Sequence, residues 1–217
     1  MTVGNRKTLL VGGVGGAAVT AIAIAIVFAS QTFSETSAAN NSVCWSDQQF
    51  ESAIKFPVAK PTWVPPGYSL QCQVATPYQA MMLYSERPMA SKEIEQALRE
   101  KGGIIVVVTD ETLEGLATDL LSPQERTEET TRLLTPELKE KMQFRYITIN
   151  GDPGWAREAG DYGSLTTQYN NGTVISTEKT EEPARVEFNR ETTNYVITGF
   201  RPADELIKIA ESIPSTT

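Results

Sequence analysis

The side chains able to do chemistry in this 217-residue chain are carboxylates and two cysteines, because histidine is absent. Without imidazole there is no Ser-His-Asp or Cys-His nucleophile, no His-rich zinc site and no imidazole proton shuttle. With the commonest hydrolase designs removed, paired carboxylates working as acid and base are the best candidates for hydrolysis. Two sets lie near enough in sequence to consider: Asp110 with Glu111 or Glu114, and Asp152 with Asp161. Such a pair works only if the chain brings both groups to one cleft, and no spacing here requires that. Solvated loop and strand-end charges are the plainer reading. Glu125, Glu128 and Glu129 lack metal-ligand spacing and read as a solvated helix face. No catalytic, cofactor-binding or metal-binding set is therefore expected, and the chain reads as a non-enzyme without a cofactor.

The cysteines, Cys44 and Cys72, are an even count, which in an oxidising compartment favours a bridge. Two unpaired small buried residues are the alternative. The spacing is far from C-x-x-C and no cationic cluster adjoins either thiol, so the expected role is a structural staple rather than redox chemistry.

The compartment follows from residues 9–29, which carry no charge and are preceded by Arg6 and Lys7. As a helix at about 1.5 Å per residue they would reach roughly 30 Å, the hydrocarbon thickness of a bilayer. The run is longer than a usual secretory h-region, so a retained single-pass anchor is expected; the alternative is secretion after cleavage near Ala29, at Val27-Phe28-Ala29. Basic residues before the span and Glu35, Asp47 and Glu51 after it place residues 1–8 in the cytoplasm and the remainder outside. Taking Arg6 and Lys7 from the 19 basic residues leaves 17 against 27 acidic ones, a net charge of −10 outside. Nucleic acid is thereby excluded as a partner. Membrane contact is expected through residues 9–29 alone.

Residues 30–55 read as a linker, rich in Ser, Thr, Asn and Ala in their first half. Residues 56–213 then read as one domain. Four prolines in FPVAKPTWVPPGY prevent helix, and Pro66-Gly67 suits the centre of a type II turn. Strands are expected at 67–75, 79–85 and 104–108, the last without a polar face and so interior. A short helix is expected at 91–101. Residues 110–142 form a helical insertion with starts at Ser122-Pro123-Gln124-Glu125 and Thr135-Pro136. Strands at 144–149, 165–169, 173–177, 184–189 and 194–200 are separated by turn residues, implying antiparallel hairpins. A terminal helix at 202–213 carries the stripe Leu206, Ile209, Ala210 and Ile213. The fold class is α+β: an N-terminal transmembrane helix, then one domain with a curved antiparallel sheet packed against helices that include the C-terminal one.

Pro61-Thr62-Trp63-Val64-Pro65-Pro66-Gly67-Tyr68 resembles the P-x-aromatic-(Leu/Val)-P-x-G-(Tyr/Phe) opening of an extracytoplasmic domain family of unknown function. Residues 147–151 (ITING) resemble its internal V-x-V-N-G hairpin, and residues 205–213 (ELIKIAESI) its terminal helix. That family is found with anti-sigma factors and with LolA- or RseB-like envelope proteins, and has no established enzyme activity. The resemblance implies a binding or sensory module outside the membrane, with an envelope protein as partner or a lipid or peptide as ligand. This chain lacks the cytoplasmic zinc-binding segment of an anti-sigma factor, and residues 110–142 exceed the family pattern.

The resulting expectation is a membrane-anchored, non-catalytic binding or sensory domain. Two alternatives stand beside it: a LolA/RseB-like carrier with a half-barrel groove, and a carboxylate-dependent hydrolase. In the carrier reading Met81, Leu83, Val106, Tyr146 and Val186 line the groove; ordinary core is the plainer role for all five.

Overall fold

The computed structural model describes residues 44–87, 102–111, 121–132, 134–161, 166–168, 174–176 and 181–215. The expected membrane span at 9–29 and the expected helix at 91–101 lie outside them. Among the described residues no helix is long and apolar enough to cross a membrane.

The domain is α+β, with four helices and an antiparallel sheet of seven strands among the described residues. The strands are β1 (Ser69–Ala75), β2 (Gln79–Ser85), β3 (Gly103–Asp110), β4 (Arg145–Ile149), β5 (Asp152–Arg157), β8 (Ala184–Arg190) and β9 (Thr193–Gly199) in chain order, in the spatial order β1-β2-β3-β9-β8-β5-β4. Between β5 and β8 in sequence, β6 (Thr166–Gln168) and β7 (Val174–Ser176) pair as a separate antiparallel hairpin. The helices are α1 (Asp47–Ala53), α2 (Pro123–Thr131), α3 (Pro136–Lys141) and α4 (Ala203–Glu211).

Local chemistry sets these boundaries. Gly67, at φ +89°, occupies the third position of a turn closed by the Tyr68 amide donating to the Pro65 carbonyl at 3.0 Å, the geometry expected of Pro66-Gly67. Asn150 and Gly151 both have positive φ and join β4 to β5 by a two-residue hairpin turn. Ser122 and Thr135 cap α2 and α3, each followed by proline at the helix start.

Strand alternation gives the sheet two different faces. On one, Met82, Tyr84, Ile104, Val106, Val108, Val186, Phe188, Tyr195 and Ile197 form the main core with Leu206, Ile209, Ala210 and Ile213 of α4. Each fully buried Leu or Ile contributes about 1.5–3 kcal/mol. The ends of α4 are also tied down. Glu158 accepts from the Ala203 amide at 2.9 Å, and Asn150 Nδ2 and Thr62 Oγ1 donate to the carbonyls of Glu211 and Ser212 at 2.9 and 2.8 Å. As the sequence implies, β3 is interior: it lies between β2 and β9 with both faces largely buried.

Two features differ from the sequence reading, the start of the fold and strand β5, and one, the disulfide, agrees with it. The fold begins before residue 56: within the expected linker, α1 starts at a Ser46/Gln49 capping box and seats Phe50, 2% exposed, in the main core. A disulfide joins Cys44 to Cys72 of β1, with Cα atoms 4.9 Å apart. Strand β5 was not anticipated, because Asp152-Pro153-Gly154 reads as a continuation of the Asn150-Gly151 turn. Pro153 sits beyond the end of the β5–β8 ladder, which starts at Gly154↔Phe188, so its missing N–H breaks no pairing.

Candidate functional site

The second face of the sheet is half apolar and half polar. Toward β1, Cys72, Met81, Leu83 and Ile105 form a small apolar cluster, with Cys44, Val74 and Val107 against it. Toward β4 the same face carries Thr198, Arg185, Glu187, Asn189, Trp155 and Arg157, all buried. Helix α2 lies over β5 and β8 on this side.

These polar groups are joined to one another. Arg185 donates to the Glu187 carboxylate through Nε at 3.1 Å and Nη2 at 2.5 Å, and its guanidinium stands 5.4 Å from the Trp155 ring centre. Asn194 Nδ2 donates to Glu187 at 3.3 Å and to Asn189 Oδ1 at 3.0 Å. Asn189 Nδ2 donates in turn to Thr127 Oγ1 of α2 at 2.9 Å. Arg126, the neighbour of Thr127 on α2, bonds to the Glu111 carboxylate and the Glu191 carbonyl. A buried ion pair such as Arg185–Glu187 loses in desolvation much of what it gains in attraction, so it fixes geometry more than it adds stability.

Beside this network an open cleft of about 300 Å³ separates α2 from the β4–β5 hairpin, lined by Gln124, Thr127, Tyr146, Ile147, Thr148, Pro153 and Gly154. Tyr146, on the outer strand β4, is 54% exposed. Its hydroxyl is 2.9 Å from that of Thr131, its ring meets Phe144 edge-on at 5.1 Å, and Lys139 Nζ lies 5.5 Å from its centre. Phe144 stacks in turn on Trp155 at 5.7 Å.

Of the carboxylates considered from sequence, Asp152 and Asp161 are placed apart. Asp152 accepts from Arg190 Nε at 2.6 Å at the start of β5. Asp161 follows the far end of that strand, where the Arg157↔Arg185 register continues unbroken to the Gly160↔Glu182 bridge. At about 3.3 Å per residue the two acids are roughly 25 Å or more apart, beyond the roughly 5–9.5 Å of paired glycosidase carboxylates. Asp110 is buried at the end of β3 and Glu111 is held by Arg126, while Glu114 lies outside the described residues. Glu125, Glu128 and Glu129 are exposed, and Glu125 is held below the usual carboxylate range by hydrogen bonds from the Ser122 hydroxyl and amide. Among the described residues no three metal-ligating side chains come together.

The five groove residues do not share a groove. Val106 and Val186, both 0% exposed, belong to the main core under α4. Met81 and Leu83 face the opposite side, in the cluster around Cys72. Tyr146 shares that side, but β4 is five strands from β2, roughly 24 Å at the usual strand spacing. Their common hydrophobic pattern concealed a difference of face and of strand order. The polar network was also missed, since Arg185, Glu187 and Asn189 alternate with apolar residues as outward-facing positions normally do. Comparison with protein-family models, with curated proteins and with solved structures finds no match to this chain.

Proposed function

We propose that this protein is a membrane-anchored, extracytoplasmic binding or sensory module without catalytic activity. The observation that carries this reading is the polar half-face beside the open cleft: buried Arg185, Glu187 and Asn189 and half-buried Asn194 are linked to one another and to α2, where a sheet built only for stability would pack apolar side chains. Such a network fixes the relative positions of α2 and the β4–β5 hairpin and so shapes the cleft between them. The Cys44–Cys72 bridge supports placement outside the cytoplasm, where disulfides persist. The uncharged run at 9–29 supplies the tether, and the acidic balance outside it argues against anionic partners.

Cross-linking in the cell, followed by native mass spectrometry of the detergent-extracted protein, tests the binding role. A bound envelope protein or small ligand is the expected result. A chain that emerges alone after cross-linking, from cells in which a known envelope complex is captured, contradicts it.

A further inference from the structure

We propose that the cleft between α2 and the β4–β5 hairpin binds an uncharged sugar. This deepens the binding-module reading and rests on it for the ligand's location outside the membrane.

The first observation is the chemistry of the lining. In a chain with 27 acidic and 19 basic residues, the seven lining residues include no carboxylate, ammonium or guanidinium. The nearest charges, Glu128 bonded to Gln124 and Lys139 over the Tyr146 ring, are one of each sign, so the rim favours neither an anion nor a cation. The lining does offer a hydroxyl at Thr148, the amide oxygen of Gln124, whose Nε2 donates to Glu128 at 2.7 Å, and the Pro153 carbonyl, which Thr127 Oγ1 meets only at 3.4 Å, beside an aromatic ring. A pyranose has the complementary form, with C–H groups on its faces and hydroxyls around its rim.

The second observation is that the exposed ring is fixed. An exposed tyrosine ordinarily turns freely, but Tyr146 is held through its hydroxyl by Thr131 and along its edge by Phe144. A ring already locked loses little entropy when a ligand settles against it. The cleft's volume, about 300 Å³, is at the small end of ligand pockets, and its openness to solvent suits one ring of a longer chain rather than an enclosed small molecule.

Saturation-transfer difference NMR on the full chain, extracted in a zwitterionic detergent because sugar-headed detergents would compete, tests the assignment. The probes are maltose, cellobiose and N,N′-diacetylchitobiose, with an uncharged capped tripeptide alongside. The expected result is transfer to the ring C–H protons of at least one sugar, lost in Tyr146→Ala and in Thr148→Arg and weakened in Tyr146→Phe. Both positions are exposed, so circular dichroism of the variants should match that of the unaltered protein. No transfer to any sugar, transfer that survives both Tyr146→Ala and Thr148→Arg, or transfer to the peptide alone overturns the proposal. The orientation of the domain in the membrane does not enter this measurement, so its failure is distinct from a failure of the binding-module topology.

Discussion

Cys44 is bonded to Cys72 across a separation of 28 residues, which fastens the start of the folded domain to the outer strand β1. The Trp45 amide donates to the Gln73 carbonyl at 2.9 Å just beyond it, and the exposed Asp47 is held below the usual carboxylate range by Gln73 and then Lys60. The bridge thus closes the loop that contains α1 and the proline-rich entry. In the chain-entropy model, replacing both cysteines by serine should lower stability by about 3–4 kcal/mol. Denaturant midpoints of the two proteins measure this. Intact mass after alkylation should show no added groups before reduction and two after it.

Helix α4 should report docking through a single pair of substitutions. Ile209 is 0% exposed in the main core, whereas Lys208 faces solvent. Ile209→Asp buries an unpaired carboxylate and should cost about 3 kcal/mol or more, while Lys208→Asp should fall within about 0.5 kcal/mol of the parent. Equal shifts in melting temperature would mean that α4 does not pack as described.

Gly154 is required by close approach rather than by φ. A Cβ there would lie 2.4 Å from the Glu187 carbonyl oxygen and 2.8 Å from Phe188 Cβ, so Gly154→Ala must push β5 from β8. The expected cost is about 2–3 kcal/mol or more. Gly151→Ala meets open space and bears only the strain of positive φ, about 1–2 kcal/mol. Thermal unfolding of the two variants should therefore rank Gly154→Ala as the less stable.

These glycines show where sequence reading succeeds and where it stops. Turns at Pro66-Gly67 and Asn150-Gly151 are legible because positive φ selects glycine and asparagine locally, and the stripe of α4 is legible because four apolar residues share one helical face. The disulfide is legible from cysteine count and compartment. Strand β5 is not, since what excludes a side chain at Gly154 is the backbone of β8, a contact between distant parts of the chain. Helix α1 offers a single apolar anchor, Phe50, too little for periodicity to reveal. The site is harder still: outward alternation of Arg185, Glu187 and Asn189 reads as solvent exposure, and only the packing of the folded sheet makes them buried.

Alkaline pH should destabilise the domain through Tyr84. Burial pushes its phenol from the ordinary 10 up to about 12, because the anion would form in the core, where the hydroxyl donates to Met82 Sδ at 3.8 Å. The neutral form is thus the one the fold prefers. Its contribution is complete below pH 10 and is lost as pH rises toward 12, by about 2–3 kcal/mol. Stability measured against pH should fall less steeply over that window in Tyr84→Phe than in the parent.

Residues 30–217 are proposed to lie outside the cytoplasm, so a protease added to intact cells should reach them. In a host with two membranes the same digestion is done on spheroplasts. The domain carrying Thr217 should be cut together with an outer-surface control while a cytoplasmic control stays whole. A domain that remains protected while the outer-surface control is digested, or a reporter fused at Thr217 that works only in the cytoplasm, would contradict it.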